Sequence, residues 1–485
     1  MSSFSAASIS ALTDIVGADH VVSNDAERAT YEADGLAKLR STPGLVVLPG
    51  TAAEVQEVVR WCHNAAVPFV ARGQGTGLSG GALPHPDGVL IVMTRLNRIL
   101  DLDIANRRIT VEPGITNLEV TNAAAPHGYY YAPDPSSQVV CSIGGNVAEN
   151  SGGAHCLKYG FTVHHVVGVE AVLPDGEMVR IGGPALDPPG LDLLGVLVGS
   201  EGTLAVVTKV TLRLLRKPAS VKTLLAAFDS TEAAGNAVSG IIAEGIIPAA
   251  VEMMDRITIE AAEAAVHPGF PQAEALLIVE LDGAEAEVTA LFDGVTRVCQ
   301  EAHAEEIRIA ESEEQRARFW LGRKAAFAAM GRVSPNYYVQ DGVIPRTRLP
   351  EVLRRIRELG DEAGLKIGNV FHAGDGNLHP LVCYDDHVDG QADLAERVAN
   401  DILTICLDVG GSITGEHGVG ADKAKHMPKM FTDVDLDTMQ LVRCAFDPNH
   451  VCNPDKIFPT PRLCGEVPGP YRQHPAEAAG LAARL

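Results

Sequence analysis

The stretch Arg72 to Gly81 reads RGQGTGLSGG and places five glycines within ten residues, directly after the apolar run 67–71. Glycine has no Cβ, so clustered glycines let backbone N–H groups approach the oxygen atoms of an anion closely. The stretch therefore predicts a loop that holds an anion such as pyrophosphate. A glycine-rich hairpin connection is the alternative, and the pattern alone does not decide between them.

The glycine spacing Gly75-x-Gly77-x-x-Gly80 also matches the dinucleotide fingerprint of the Rossmann fold. That fingerprint requires a helix that begins at the glycines, with its N-terminus facing the phosphates. Two prolines follow instead, at 84 and 86, and the next segment, 88–94, is β-like. A GK[ST] tail is also missing, so neither a Rossmann loop nor a Walker loop is predicted.

The length and charge of the chain limit its function classes. A chain of 485 residues exceeds what one hydrophobic core usually serves, so two or more domains are expected. A formal net charge of −23 argues against nucleic acid and anionic membranes as direct partners. The N-terminus lacks a basic and apolar leader, and no apolar run is long enough to span a membrane. We expect a cytoplasmic protein, and peripheral membrane association, for example through a partner, stays open.

Strands dominate the first part of the predicted fold, which opens with a helix from about Thr51. The predicted strands are 67–71, 89–94, 108–112, 166–173, 177–181 and 203–215. Lys217-Pro218 marks the predicted end of this region.

The following region repeats the order βαββαβ, which is typical of a ferredoxin-like unit. The first copy is predicted as strand 222–228, helix 230–245, strands 249–254 and 275–281, helix 284–303 and strand 305–310. After a helical linker at 313–332, the second copy is predicted as strand 337–344, helix 349–363, strands 367–372 and 378–384, helix 391–408 and strand 411–414. We expect the two copies to share one sheet.

A second glycine-rich stretch runs from Ser142 to Gly160, after the segment 133–137. Small residues that alternate with Asn and Ser let the backbone approach a flat polar ligand, although an ordinary surface loop is the alternative. Glu201, in Gly199-Ser200-Glu201-Gly202, is either a solvated turn residue or an acceptor for ligand or backbone N–H groups.

Three histidines and a glutamate form a candidate metal site. His372 and His379 flank the turn Gly374 to Asn377, and Glu416-His417 follow later in the chain. Two imidazoles and a carboxylate are a divalent-metal pattern, while structural histidines beside a turn are the alternative. Glu416 joins the histidines only if the strand 411–414 is short, because a regular last strand would end at the opposite edge.

Arg323 lies on the predicted linker helix, in Trp320-Leu321-Gly322-Arg323-Lys324. Its planar guanidinium would hold a substrate carboxylate at two points. Pairing with the acidic residues at 311–314 is the alternative.

Taken together, these segments resemble the FAD-linked 2-hydroxy acid oxidoreductases of the vanillyl-alcohol-oxidase type, most closely the FAD-carrying catalytic subunits of bacterial glycolate oxidases. The resemblance runs from about residue 40 to 460 and rests on RGQGTGLSGG (72–81), APDPSS (132–137), SIGGNVAENSGGAHCLKYG (142–160), GSEGTL (199–204), WLGRKAAF (320–327), YYVQDGVIPR (337–346), FHAGDGNLHP (371–380), GSITGEHGVG (411–420) and FDPNHVCNPDKIFP (446–459).

The resemblance implies an α+β fold: a two-subdomain FAD-binding domain, and a cap domain with a duplicated ferredoxin-like antiparallel sheet. The implied boundaries are 1–217 for the FAD-binding domain (core about 41–217), 218–449 for the cap, and 450–485 for a C-terminal segment that returns to the first domain. FAD is expected to bind non-covalently, because 71–81 contains neither His nor Cys.

The resemblance also implies the residues that bind FAD and the residues that carry the chemistry. The implied FAD-binding residues are Arg72, Gly73, Gly75, Thr76, Gly77, Leu78, Ser79, Gly80, Gly81, Pro133, Asp134, Ser136, Ser142, Gly144, Gly145, Asn146, Ala148, Asn150, Gly152, Glu201, Val207 and Asn453. The implied metal ligands for zinc, manganese or iron are His372, His379 and Glu416. His417 would be the catalytic base, and Arg323 would bind the substrate carboxylate.

The implied substrate is a small 2-hydroxy acid such as glycolate or D-lactate, because 337–346 offers no lysine for the second carboxylate of D-2-hydroxyglutarate. The nine cysteines include no Cys-x-x-Cys pair. Electrons are therefore expected to pass to an iron–sulfur or other partner subunit or to another acceptor, in a homo-oligomer or hetero-complex. A D-2-hydroxyglutarate dehydrogenase is the first alternative function. A metal-dependent hydrolase and a non-redox ether-lipid synthase-like enzyme rank after it.

Overall fold

A computed structural model describes residues 4–183, 185 and 190–459 of the chain. The N-terminal helix α1 precedes the predicted helix at Thr51, so the prediction that the latter opens the fold was wrong. Up to residue 216 the elements are α1 (Ala6–Val16), β1 (Val21–Val22), α2 (Asp25–Arg28), β2 (Leu45–Val47), α3 (Ala52–Ala65), β3 (Phe69–Arg72), β4 (Val89–Val92), β5 (Ile99–Asp103), β6 (Arg108–Val111), α4 (Asn117–Ala124), β7 (Tyr129–Tyr130), α5 (Ile143–Glu149), α6 (Cys156–Tyr159), β8 (Val166–Val172), β9 (Met178–Gly182), α7 (Leu193–Leu197), β10 (Val206–Arg213) and β11 (Leu215–Arg216).

The glycine-rich loop connects two parallel neighbours in a four-stranded sheet of order β1-β2-β4-β3. Phe69 of β3 pairs with Val89 of β4, and the two strands run in the same direction. A hairpin would join antiparallel strands, so the hairpin alternative for the glycine loop is wrong. The buried apolar face of α3, with Val55, Val58 and Val59, packs in the core beneath this sheet.

A second, five-stranded antiparallel sheet has the order β5-β6-β10-β8-β9. β8 is buried along its whole length, while β10 alternates between buried and half-buried residues. Alternation of this kind is typical of a strand with one face in the core. The helix α5 packs on this sheet through Ile143 and Val147, and α5 carries the second glycine-rich stretch to the space between the two sheets.

A seven-stranded sheet forms the centre of the second half, in the order β15-β12-β14-β13-β17-β18-β16. Its neighbours are antiparallel, so the prediction that both βαββαβ copies share one sheet is confirmed. The elements are β12 (Ser220–Phe228), α8 (Thr231–Ala243), β13 (Ala250–Asp255), α9 (Arg256–Val266), β14 (Ala275–Gly283), α10 (Glu285–Glu301), β15 (Glu306–Ile309), α11 (Glu313–Ala329), β16 (Asn336–Val339), α12 (Leu349–Ala363), β17 (Ile367–His372), β18 (Pro380–Tyr384), α13 (Gln391–Asp408), α14 (Met427–Met430) and α15 (Asp433–Phe446).

The predicted strand 411–414 is reduced to one isolated bridge, in which Ser412 pairs with Val343. The sequence analysis expected Glu416 to reach the histidines only if this last strand is short. The strand is short, so this condition is met.

The segment after α15 runs beside β3. The N–H of Phe69 donates to the carbonyl of Val451 at 2.8 Å, and the N–H of Asn453 donates to the carbonyl of Phe69 at 2.8 Å. The domain boundaries at 217 and 449 stay predictions, and residues 460–485 of the predicted C-terminal segment lie outside the described residues. Among the helices in the described ranges, none combines the length and the hydropathy needed to cross a bilayer.

Candidate active site

A cavity of about 370 Å³ lies where the glycine loop, α5 and the histidine-bearing loops meet. A smaller cavity of about 80 Å³ continues from it between the first two sheets. The residues that line both cavities are Gly73, Ala82, Ser142, Gly145 and Glu149. The two cavities thus form a bent cleft that ends at the histidine cluster.

The glycine loop fits a cofactor that presses against backbone. Gly75 has a φ of +70°, a conformation that residues with a Cβ rarely adopt. A Cβ on Gly73 would lie 2.0 Å from Oγ of Ser142, so only glycine allows the loop to approach α5. The cleft is therefore walled by bare backbone on the side where FAD is predicted to bind, and the residues present fit that cofactor.

Most of the predicted FAD-binding residues line this cleft. Those at the larger cavity are Gly73, Gly75, Thr76, Gly77, Leu78, Ser136, Ser142, Gly145 and Asn146. Those at the smaller cavity include Arg72, Gly81, Gly144, Ala148, Glu201 and Val207. The predicted residues that line neither cavity are Ser79, Gly80, Pro133, Asp134, Asn150, Gly152 and Asn453.

Several of these remaining residues hold the walls in place. Asn453 Nδ2 donates to the carbonyls of Gly81 (2.9 Å) and Glu201 (2.7 Å), and so ties the glycine loop to the Glu201 turn. Asn150 Oδ1 accepts the N–H of Val163 at 2.8 Å. Arg72 lines the smaller cavity, but its guanidinium donates to the carbonyls of Tyr31 and Ala33.

The predicted metal ligands converge at the far end of the larger cavity. His372 Nε2 lies 3.3 Å from Oε1 of Glu416, and His379 Nε2 lies 3.2 Å from the same oxygen. His417 Nε2 lies 3.7 Å from it. β17 supplies His372 at its last residue, and His379 directly precedes β18, so the turn between these strands sets the two rings 5.2 Å apart.

The donor set of this cluster fits a divalent cation. Nδ1 of His379 and Oε2 of Glu416 are buried without a hydrogen-bond partner among the described residues. Buried polar atoms without partners are costly, and a cation would satisfy them. The ligand atoms of His372, His379 and Glu416 lie within 4.8 Å of one another, as do those of a second set, Asp341, His379 and His417.

Asp341 separates these two sets, because its carboxylate is already occupied. It accepts the backbone N–H groups of 415, 416 and 417, the hydroxyl of Thr414, and a bond from Lys423 at 3.4 Å. A carboxylate so bonded, with an ammonium beside it, is a poor metal ligand. Of the two sets, the geometry therefore favours His372, His379 and Glu416 as the candidate ligands, and their role stays a prediction.

The electrostatic surroundings give Glu416 and His417 different protonation states. Burial would raise the pKa of Glu416, but His372 and His379 hold it well below its usual value. Burial lowers the pKa of His417 to about 4, against the opposing charge of Asp341. Glu416 is thus an ionised carboxylate, and His417 is a neutral imidazole at pH 7, the form that accepts a proton.

Arg323 is buried and faces Glu252 of β13. Its Nε lies 2.7 Å from Oε2 of Glu252, and Glu252 also contacts Nδ1 of His372 at 2.8 Å. A carboxylate bonded to the outer nitrogen of a ligating histidine fixes the ring's orientation. Arg323 is absent from the described residues that line the cavity, and the structure places its neighbour Lys324 there instead.

Sequence reasoning missed Glu149, Glu252, Lys324 and Asp341. Glu252 carries the clearest signal, since it is a charged residue inside the apolar strand 249–254. Asp341 lies in the segment 337–346, where the absence of lysine was the feature that bore on the substrate. Glu149 is the last residue of α5, and nothing in the sequence around it shows that its carboxyl group is buried rather than solvated.

Two protein-family models match the chain. The model described as FAD binding domain matches residues 43–182, and the model described as FAD linked oxidases, C-terminal domain, matches residues 217–457. The second match covers the seven-stranded sheet and the histidine cluster.

Several curated relatives are similar over nearly the whole chain. Glycolate oxidase subunit GlcD of Escherichia coli (strain K12) is 50% identical over 96% of this chain and 93% of its own length. Glycolate oxidase subunit GlcD of Bacillus subtilis (strain 168) is 36% identical over 92% and 96%. The D-lactate dehydrogenase of Archaeoglobus fulgidus is 32% identical over 85% and 91%.

Solved structures share the fold at lower identity. p-Cresol methylhydroxylase with substrate bound gives a TM-score of 0.78 at 16% identity, covering 93% of this chain and 96% of that chain. Alkyldihydroxyacetonephosphate synthase gives 0.69 at 18% identity, over 90% and 82%. These likenesses support the fold class that the motifs implied. With two family models matched and a half-identical relative covered almost end to end, the chain belongs to the FAD-linked oxidase family.

Proposed function

We propose that this chain oxidises a small 2-hydroxy acid of the glycolate or D-lactate type to the 2-oxo acid, with FAD as the hydride acceptor and a divalent metal at the histidine cluster. Relatives named glycolate oxidase subunit and D-lactate dehydrogenase support the substrate class. The FAD binding domain model supports the cofactor.

One observation carries the proposal: a single cavity is lined by the glycine loop on one side and by the histidine cluster on the other. Gly75 and Thr76 share it with His379 and His417. A cofactor on the loop and a substrate at the cluster would therefore meet inside one cavity, as hydride transfer requires.

His417 is the proposed catalytic base. Its ring is neutral at pH 7 because burial lowers its pKa to about 4. Its Nδ1 lies 4.0 Å from Asp341 and its Nε2 faces Glu416, so a substrate hydroxyl near Glu416 lies within reach of the ring. The proton of that hydroxyl passes to His417 as the Cα hydride leaves.

Lys324 is the proposed contact for the substrate carboxylate. Of the described residues that line the larger cavity, it is the one lysine or arginine. A single cation suits a monocarboxylate and leaves a second carboxylate without a partner, which favours glycolate or D-lactate over D-2-hydroxyglutarate. Phe327, one turn along α11, supplies an apolar surface beside it. Arg323, which was predicted for this role, is paired with Glu252 and does not line the cavity.

The two bound groups supply the remaining chemistry. FAD, when bound, supplies a hydride acceptor. A metal held by His372, His379 and Glu416 supplies Lewis acidity toward the substrate hydroxyl. The protein's own contribution is to hold these groups, the carboxylate and the base around one point.

We also propose that the electrons leave through a partner subunit or another acceptor. The seven free cysteines of the described ranges are buried, and none of them belongs to a group of side chains placed to hold a metal ion. The word subunit in the names of the GlcD relatives supports a hetero-complex.

Anaerobic mixing of the purified, flavin-loaded protein with D- and L-2-hydroxy acids tests the proposed function. We expect glycolate or D-lactate to bleach the flavin stoichiometrically, and a chelator to slow the bleaching. Bleaching that is unaffected by complete metal removal would remove the metal from the mechanism. A protein that stays oxidised with every 2-hydroxy acid would contradict the substrate class.

A further inference from the structure

Glu149, the last residue of α5, is a titratable group at the bend of the cleft that the proposed chemistry does not use. It lines both cavities, together with Gly73 of the glycine loop. Its Oε2 is buried and has no hydrogen-bond partner among the described residues. A buried carboxyl oxygen without a partner calls for a ligand or a bound proton.

Two glycines hold this carboxyl group in place. A Cβ on Gly81 would lie 2.5 Å from Oε1 of Glu149, and a Cβ on Gly418 would lie 2.1 Å from Oε2. The group is thus enclosed between the glycine loop and the loop after His417.

Glu201 packs against the same glycine, since a Cβ on Gly418 would lie 2.9 Å from Oε1 of Glu201. Glu201 accepts the N–H groups of Val419 (2.7 Å) and Gly420 (2.6 Å). Hydrogen bonds from N–H groups stabilise the charged form of a carboxylate, and two neighbouring buried carboxylates do not both ionise readily. Burial raises the pKa of Glu201 as well, but these two N–H groups and Lys423 oppose that rise, so of the two Glu201 carries the negative charge and Glu149 keeps the proton.

The surrounding charges agree with this assignment. Burial first, and then the negative charges of Glu201 and Asp34, raise the pKa of Glu149 well above its usual value. Asp341 acts in the same direction, and Lys423 is the positive charge that opposes them. The position of Glu149 at the C-terminus of α5 also disfavours a negative charge, because the helix carbonyls point toward it.

We propose that Glu149 is a protonated carboxylic acid in the functional protein and that its hydroxyl donates a hydrogen bond to an acceptor oxygen of bound FAD. This inference rests on the FAD binding of the proposed function and deepens it. An ionised Glu149 would instead set a negative charge against a cofactor that already carries its pyrophosphate charge. FAD affinity is therefore linked to one proton on this side chain.

The dissociation of FAD from the holoenzyme, followed by the fluorescence of released FAD between pH 6 and pH 10, tests the linkage. We expect the wild-type dissociation constant to rise about tenfold for each pH unit above the pKa of Glu149. Glu149→Gln keeps a hydrogen-bond donor without a titratable proton, so its dissociation constant should stay flat. Glu57→Gln, an exposed change on α3, should follow the wild type.

A second measurement uses only wild-type and variant holoenzyme and does not depend on the variant's affinity. The reduced-minus-oxidised infrared difference spectrum should contain a protonated carboxyl C=O band that shifts in D₂O and is missing in Glu149→Gln. Equal pH dependence of FAD release in wild type and Glu149→Gln, or an unchanged C=O band in the variant, overturns the proposal. A wild-type protein that binds no FAD at any pH contradicts the proposed function itself.

Discussion

His417 is the residue on which the proposed proton transfer depends. Replacing it by alanine removes the neutral imidazole and leaves the predicted ligands His372, His379 and Glu416 in place. We expect substrate-driven bleaching of the flavin to slow by roughly 10²–10⁴-fold, the usual contribution of a general base. Stopped-flow absorbance under anaerobic conditions measures this rate, and the oxidised flavin spectrum should be retained.

The matched control is His127→Ala, which removes an exposed histidine. Its bleaching rate should equal that of the wild type. If His417→Ala bleaches as fast as this control, another group accepts the proton.

Arg323 and Lys324 are adjacent in sequence but have different surroundings, and this difference is testable. Lys324→Met should raise KM for the acid about 10- to 100-fold with little change in metal content, because a charged hydrogen bond contributes roughly 1.5–3 kcal/mol. Arg323→Met should instead lower metal affinity, because Glu252 loses its partner and no longer holds His372. Steady-state kinetics and metal analysis together separate the two effects.

The opposite result has an equally clear meaning. If Arg323→Met raises KM while metal content stays constant, the guanidinium binds the carboxylate directly, as the sequence motif implied. Lys324 would then be a neighbour of the substrate rather than its anchor.

The loop 414–417 is an element held by one carboxylate. Asp341 accepts three consecutive backbone N–H groups from 415, 416 and 417, and Lys423 lies beside it. Asp341→Asn removes the negative charge and leaves the buried Lys423 unpaired, which costs roughly 3–5 kcal/mol of unfolding free energy. We expect lower stability in denaturant, faster hydrogen exchange at 415–417, and weaker metal binding through Glu416.

The double variant Asp341→Asn with Lys423→Met distinguishes two roles of Asp341: neutralising the charge of Lys423, and ordering the loop 414–417 through hydrogen bonds. Removing the unpaired ammonium should restore much of the stability, while exchange at 415–417 stays fast. Full recovery of both would show that Asp341 acts only as a counter-ion.

The sequence predicted elements best where apolar periodicity was regular. The seven-stranded sheet followed from β-branched runs with helical spacing between them, and α12 was predicted with the bounds that the structure gives. The helix α5 was missed because Gly144 and Gly145 lower helix propensity, and packing against the five-stranded sheet outweighs that cost. The helix α9 was missed although Asp255 caps it, because Ile257 and Thr258 resemble strand residues.

The site residues likewise fall into those that the sequence pattern indicates and those that it does not. The candidate metal ligands and the glycine loop could be singled out because their residue types are chemically specific, and the structure brings them to one cavity. Glu252 and Asp341 were missed since their importance comes from partners 120 and 76 positions away in the chain, His372 and His417, which no local pattern shows.

At the scale of the whole molecule, His155 joins the two halves of the chain. Its Nδ1 lies 2.9 Å from Asp134 and its Nε2 lies 3.3 Å from Glu280 of β14. Burial alone would lower its pKa, but Asp134 and Glu280 raise the pKa to about 10 from 6.5. A raised pKa means that the folded state binds the proton more tightly, so this stabilisation is complete below pH 6.5 and is lost as pH rises through 10.

We therefore expect the unfolding temperature of the wild type to fall between pH 7 and pH 10 more steeply than that of His155→Gln. The variant should still fold, because Glu280 keeps its bonds to Arg316 and Trp320. His387→Gln, an exposed change, should keep the wild-type slope. Parallel slopes for wild type and His155→Gln in differential scanning calorimetry would show that this contact carries no pH-dependent stability.

The tie between Asn453 and the glycine loop has a consequence for the order of synthesis. The loop leaves the ribosome early, but the side chain that bonds Gly81 and the Glu201 turn is made 372 residues later. A nascent chain that ends before Asn453 contains the glycine loop but lacks the side chain that bonds it to the Glu201 turn. We therefore expect stable insertion of the flavin only after the segment with Asn453 has been synthesised.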